Sequence, residues 1–190
     1  PVEVGGSAAA DPGVAHERGV YVTALTDFTM TSLGIEAQLN QSRTLFARVY
    51  EATGLTRGTN LVTSSLIFSD AGQAFYDVPI AFDFEAGEEY YLEVDFAPAT
   101  GLSARFFDFD PNLLGDTAFD AGGVLSVVDG GGLNGDSTTT RLANFRVDVS
   151  SVSAVPEPTS LGFVFVASLL GCGARGRKRR NARAAQSIDS

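Results

Sequence analysis

The sequence predicts an all-β protein, an antiparallel β-sandwich or jelly-roll-like domain, followed by a single C-terminal transmembrane helix. Two observations predict the sandwich. Apolar residues in the body recur at every second position, the period of a half-buried strand, and Gly-rich or Asn-rich breaks separate most of these runs. A third observation predicts the helix, because residues 159–174 contain no charged side chain. A closed barrel is the alternative architecture for the body.

The predicted strands are short and roughly evenly spaced. In 45–50, for example, Leu45, Ala47 and Val49 share one face, and the residues between them point the other way. About nine such strands are typical of an antiparallel sandwich. The predicted strands are 20–24, 28–37, 45–50, 61–68, 80–85, 89–96, 102–109, 124–128 and 142–149.

The strands 80–85 and 89–96 have the clearest alternation. Tyr91, Glu93 and Asp95 share one face of the second strand, opposite a fully apolar face. The four residues 85–88 between the strands can form a tight turn, because Gly87 tolerates a positive φ. We therefore predict a β-hairpin here, with Pro79 at an edge position or a strand beginning. The apolar faces consist of Ile80, Phe82 and Phe84, and of Tyr90, Leu92, Val94 and Phe96.

The charge of the chain is divided unevenly. Residues 1–155 contain 7 Arg and 21 Asp or Glu, a net charge of −14, whereas residues 156–190 contain 6 Lys or Arg and 2 acids, a net charge of +4. Contact with nucleic-acid phosphates requires clustered cations, so the acidic body argues against nucleic acid as a partner. The basic residues of the tail follow an apolar run directly, which favours a stop-transfer signal.

The tail combines three features in a fixed order. Val155-Pro156-Glu157-Pro158 comes first, and its two prolines hold the chain extended. The uncharged run that follows would form a helix of about 24 Å, short for a bilayer core of about 30 Å, and long Arg side chains can snorkel across part of the difference. The predicted span includes Leu161, Phe163, Val164, Phe165, Val166, Leu169 and Leu170, and the basic stop is Arg175, Arg177, Lys178, Arg179 and Arg180. The positive-inside rule places this stop in the cytoplasm and the body outside.

This order of Pro156-Glu157-Pro158, apolar span and Arg-rich cluster resembles the PEP-CTERM sorting signal of Gram-negative bacteria. The resemblance covers residues 155–183. It implies that a membrane protease called an exosortase is a partner, that it processes the chain near the Pro-Glu-Pro motif, and that the protein passes from an inner-membrane intermediate to the cell surface or the extracellular matrix. An ordinary single-span membrane anchor is the alternative interpretation of the same residues. We also expect a secretory signal peptide, removed or lying outside this chain.

The predicted organisation follows from these features. A flexible segment over 1–18 precedes a β-sandwich domain over 19–149, and the small polar residues of 150–154 form a linker. The sorting signal occupies 155–183, and a short tail occupies 184–190.

The residues of common catalytic sites are scarce. The chain has one His, His16, in a polar stretch, and one Cys, Cys172, inside the apolar run. A Ser-His-Asp or Cys-His site needs a positioned imidazole beside a nucleophile, and a zinc site of His and Cys needs more ligands than the chain has. We predict no catalytic residues and no required cofactor. A glycoside hydrolase is the least favoured alternative, because two of the many carboxylates could supply an acid and a base.

One Asp-rich segment has the spacing of a hard-cation loop. Asp108, Asp110 and Asn112 can place three oxygen ligands around calcium. Leu113 stands where an EF-hand has its turn glycine, and no Glu closes the loop, so an ordinary turn is the simpler interpretation. Calcium is therefore a secondary prediction at these three residues.

The predicted function is a structural or adhesive role without catalysis, at the cell envelope or in the exopolysaccharide matrix. The alternative is a carbohydrate-binding module for extracellular polysaccharide, which would use aromatic side chains on an outward sheet face. This alternative rests on analogy with other sandwiches, and the chain contains no Trp. The candidate outward aromatics are Tyr50, Tyr76, Tyr91, Phe106 and Phe107.

Overall fold

The computed structural model describes residues 1–4, 9–10, 17–39, 41–69, 72–97, 104–109, 119–131 and 142–152. Within these residues all regular elements are strands. The strands are β1 Val2–Val4, β2 Ala9–Ala10, β3 Glu17–Ala24, β4 Phe28–Leu39, β5 Arg43–Thr53, β6 Thr56–Phe68, β7 Gln73–Phe84, β8 Glu89–Ala97, β9 Ala104–Phe109, β10 Phe119–Ala121, β11 Leu125–Gly131, β12 Leu142–Ala143 and β13 Phe145–Val152.

The strands form two antiparallel sheets. The first has seven strands in the order β1-β13-β4-β9-β12, with β7 paired to β4 and β2 paired to β9. The second has six strands in the order β10-β11-β3-β8-β5-β6. The all-β, antiparallel prediction is therefore confirmed. The predicted transmembrane helix lies outside the described residues.

A single hydrophobic core contains side chains from both sheets. Met30, Leu33 and Ile35 of β4 belong to it, as do Leu92 and Val94 of β8, and all five are almost fully buried. These residues occupy alternate positions, apart from an irregularity between Met30 and Ser32 where β4 shifts register against β7. The strand period predicted from the sequence thus identified which side chains face inward.

The predicted hairpin between β7 and β8 is wrong. A tight turn does join the two strands, and Gly87 has φ +89° as expected. However, β7 pairs with β4 in one sheet, whereas β8 pairs with β3 and β5 in the other. The turn is therefore an arch that crosses from sheet to sheet, and the apolar faces of the two strands meet in the core. The rings of Phe84 and Tyr90 lie 4.7 Å apart in an edge-to-face arrangement.

The ordered domain extends beyond the predicted boundaries at both ends. Val2–Val4, within the segment predicted to be flexible, forms β1 and pairs with β13, and Val4 is fully buried in the core. Part of the predicted linker, 150–152, belongs to β13 and pairs with the start of β4. Both segments are stabilised by pairing with distant parts of the chain, which local composition does not reveal.

Candidate functional site

The outward face of the six-stranded sheet carries a buried polar cluster. Tyr91 and Glu93 of β8 share the face opposite the core, as predicted, yet they are only 0% and 1% exposed. Side chains from neighbouring strands cover them. These are Arg48 and Tyr50 of β5, which pairs with β8, and Arg57 of β6, which lies beyond β5. We call Arg48, Tyr50, Arg57, Tyr91, Glu93 and Asp95 the outer cluster.

Glu93 is the charge at the centre of the outer cluster. Arg48 Nη1 donates a hydrogen bond to Glu93 Oε1 over 2.7 Å, and Arg57 Nη1 donates to Oε2. The Tyr50 hydroxyl donates to Oε1 over 3.2 Å. Arg48 also reaches Asp95 Oδ2 at 3.2 Å with both of its terminal nitrogens. The carboxylate of Glu93 therefore links three adjacent strands, β8, β5 and β6.

The ionisation of the outer cluster follows from this packing. Burial alone would lower the pKa of Arg48 and of Arg57, but the hydrogen bonds and negative charge of Glu93 outweigh it and raise both. Burial raises the pKa of Tyr50, and the charge of Glu93 raises it further. Both arginines therefore stay charged and Tyr50 stays neutral at physiological pH.

Tyr91 fills the space above a glycine in the neighbouring strand. Gly19 of β3 lies directly beneath its ring, and a Cβ atom at Gly19 would come within 3.0 Å of three atoms of the ring and hydroxyl. The ring centroid of Tyr21 is 4.6 Å from that of Tyr91, and the centroid of Tyr50 is 6.0 Å from it on the other side. Burial raises the pKa of Tyr91 well above its usual range, and the charge of Glu93 adds to the effect.

A second feature is an open groove of about 490 Å³ beside the arch between β7 and β8. Phe82, Tyr90 and Leu61 supply its apolar surface. Two of its carboxylates accept hydrogen bonds, Glu89 from the Gly54 amide over 2.6 Å and Asp83 from the Thr29 hydroxyl over 2.6 Å. The carboxylates that line the groove are Glu51, Asp83, Glu85, Glu88 and Glu89.

The structure corrects the predicted aromatic platform. Tyr76 and Phe106 belong to the hydrophobic core, and Tyr91 and Phe107 are buried. Tyr50 alone of the five is half-buried, and its ring is covered by Arg57, whose guanidinium carbon lies 4.8 Å from the ring centroid. These five residues therefore do not form an exposed row for stacking against sugars.

The other predicted site residues lie largely outside the described residues. This holds for the sorting motif, the apolar span, the basic stop, Asp110 and Asn112. Asp108 is in β9, where its backbone is paired with Ala9 and Ala143. Among the residues whose placement is described, no group of three or more His, Cys, Asp or Glu side chains could hold a metal ion. The described part of the chain contains no helix long and apolar enough to span a membrane.

Sequence reasoning missed the outer cluster, although one signal for it was present. Arg48 occupies an outward position in a predicted strand, and so does Glu93, but their meeting depends on the register between β5 and β8, which pairs these two residues directly. Arg57 lies on β6, before the start predicted for that strand. Comparison of the chain with protein-family models and with curated proteins gives no match.

Proposed function

We propose that this chain is a non-catalytic surface protein that an exosortase sorts to the cell envelope or the exopolysaccharide matrix. The observation that carries the proposal is the order of Pro156-Glu157-Pro158, an uncharged span and an Arg-rich cluster after the body. The span would hold the chain in the inner membrane until processing near the motif releases the body. The body would then have a structural or adhesive role.

The body supports a role without catalysis. Its described residues contain neither His nor Cys, so they offer no imidazole or thiol for nucleophilic chemistry. The most enclosed carboxylate, Glu93, is held by two guanidinium groups and a hydroxyl, which commits it to linking strands. Because these contacts link β8, β5 and β6, they would help the sheet to resist mechanical force at the cell surface.

Intact-mass spectrometry of the protein from its native envelope tests the sorting step. The wild type is compared with a Pro156→Ala/Glu157→Ala/Pro158→Ala variant. We expect the wild type to end near residue 156 and the variant to retain its tail. If both proteins keep the residues up to Ser190, the chain is an ordinary membrane-anchored sandwich and the exosortase proposal is wrong.

Binding of extracellular polysaccharide is the second candidate function, and the groove beside the arch favours it. Apolar ring surface next to several carboxylates can contact both the faces and the hydroxyl groups of a sugar. Retention on the polysaccharide of the producing cell tests this candidate. Glu51→Gln/Glu88→Gln should abolish retention, because both side chains are exposed in the groove. The control is Glu3→Gln, an exposed carboxylate on β1.

The same groove permits a test of the hydrolase alternative. A glycoside hydrolase would use two carboxylates on either side of the scissile bond. The wild type is incubated with the polysaccharide, and new reducing ends are measured. Release of reducing ends that Glu51→Gln/Glu88→Gln abolishes would establish a hydrolase and overturn the non-catalytic role.

A further inference from the structure

Strand β6 is an exposed edge of the six-stranded sheet. It is 13 residues long and pairs with β5, and no other strand among the described residues pairs with it. β7 contacts β6 where the Ser64 hydroxyl donates to the Pro79 carbonyl, but among the described residues no strand pairs with the outer backbone of β6. Its outer amides and carbonyls can therefore pair with a further strand. Strands in globular proteins usually have between about 3 and 10 residues, so this edge is unusually long.

Among the described strands, the other sheet edges are short or contain charges and Pro. β10, at the opposite edge of the same sheet, and β1 have three residues each, and β2 and β12 have two. β7 is long, but it contains Pro79, Asp77 and Asp83, which oppose pairing with another strand. β6 contains no Pro, Lys, Asp or Glu, and β5 shifts register against it at Leu61, so its regular part runs over 62–68.

The regular part of β6 exposes apolar side chains. Leu66 and Ile67 are 41% and 69% exposed, and Leu61, at the register shift just before this part, is 38% exposed. The single charge of the strand, Arg57, lies outside 62–68 and is paired with Glu93. An uncharged, apolar edge favours an uncharged partner strand, because it offers no counter-charge to an acidic or basic one.

We propose that β6 joins two copies of this chain by antiparallel β6–β6 pairing across a two-fold axis. Two bodies of net charge −14 repel each other, and the carboxylate-free β6 is where they can approach at the lowest electrostatic cost. Two identical antiparallel strands satisfy each other's outer backbone groups, as an isologous contact requires. The two six-stranded sheets then form one continuous sheet through the pair.

Sedimentation of the full chain in mild detergent tests the proposal, at protein concentrations up to about 100 µM because a small interface can be weak. The variant is Thr63→Lys/Ser65→Lys, which places four like charges around the two-fold axis. Both residues are exposed on β6. The control is Val128→Lys, an exposed apolar residue on β11, which lies between β10 and β3 in the same sheet. Circular dichroism confirms that each variant is folded.

We expect the wild type and Val128→Lys to dimerise, with a dissociation constant that rises at least about tenfold in the double variant. A wild type that stays monomeric throughout this range, or a dimer that the two lysines leave unchanged, overturns the proposal. A disulfide test reports the register without relying on affinity. Pairing of the whole regular part 62–68 with its copy places Ser65 opposite itself on the two-fold axis. In a Cys172→Ser background, Ser65→Cys should therefore form the intermolecular disulfide and Val128→Cys should not. Absence of the Ser65→Cys disulfide also overturns the proposal.

Discussion

The replacement of Gly19 by alanine tests whether the outer cluster depends on the space beneath Tyr91. The new Cβ atom would lie within 3.0 Å of Cε2, Cζ and the hydroxyl oxygen of Tyr91. The ring has little room to move, because it is fully buried between Tyr21 and Tyr50. Overpacking costs about 1–3 kcal/mol. Alanine recovers about 0.5–1 kcal/mol relative to glycine in a strand. We therefore expect Gly19→Ala to lower the free energy of unfolding by about 1 kcal/mol.

A second substitution should reverse the sign of this effect. Tyr91→Leu removes the three clashing atoms, and by itself it should cost about 2–4 kcal/mol. In that background Gly19→Ala should stabilise the protein by about 0.5–1 kcal/mol, which gives a coupling of about 2 kcal/mol between the two positions. Gly72→Ala is the matched control, because a Cβ at Gly72 would meet no atom within 4 Å.

The assay is urea unfolding of the fragment 1–153, a compact unit of the chain, followed by far-ultraviolet circular dichroism and tyrosine fluorescence. If Gly19→Ala destabilises the wild-type and the Tyr91→Leu backgrounds equally, the ring contact is not the cause, and the packing argument is refuted. A destabilised Gly72→Ala would likewise show that alanine is poorly tolerated for reasons other than Tyr91.

Three further predictions concern charge, ionisation and packing. Glu93→Gln should lower the free energy of unfolding by about 2 kcal/mol, because it leaves two partly buried arginines without their central partner, and Glu88→Gln should change it by less than about 0.5 kcal/mol in the same urea assay. Because the folded state raises the pKa of Tyr91 above its ordinary value of 10.0, the stability that Tyr91 contributes should be complete below about pH 10 and fall above it by about 1.4 kcal/mol per pH unit. Tyr50 and Tyr90, whose pKa values are also raised, add to the total slope, and Tyr91→Phe should reduce it by about 1.4 kcal/mol per pH unit. Gly34→Ala should cost less than Gly19→Ala, because its Cβ would meet the carboxylate end of Asp77. Arg146 binds this carboxylate, but the two side chains are 24% and 32% exposed, so the ion pair can shift as a unit. An equal cost would contradict this reasoning.

Alternation predicted the inward and outward faces of the strands, but it did not predict their partners. Alternation assigns residues 89–96 to the correct faces, because successive side chains of a strand point to opposite sides of the sheet. The same pattern is compatible with a hairpin and with an arch, since both need a short turn between two strands that each have an apolar side. The choice was decided by the pairing of β8 with β3 and β5, which lie far from it in the sequence.

The outer cluster illustrates a second limit of sequence reasoning. Tyr91 and Glu93 read as solvent-exposed because polar and aromatic residues on an alternating strand usually face water. They are buried because Arg48, Arg57 and Tyr50 on two neighbouring strands lean over them. This arrangement depends on the register between strands and on the length of the side chains that reach across from the neighbours. The sequence of one strand specifies neither. The proposed sorting signal is the opposite case, because its three parts are contiguous and its prediction does not depend on a fold.

The pairing of β4 with β13 sets the order in which this domain can fold. Ser32 donates a hydrogen bond to Asp148 over 2.7 Å across 116 positions of sequence, and β1 pairs with the same strand. The seven-stranded sheet therefore lacks a neighbour of its central strand until nearly the whole body has been synthesised. A topology with such distant contacts is expected to fold slowly, after synthesis rather than during it. The six-stranded sheet does not contain β13, so it is the seven-stranded sheet that stays incomplete until the last strand arrives. If the chain is exported as proposed, this delay would help it to cross a membrane unfolded.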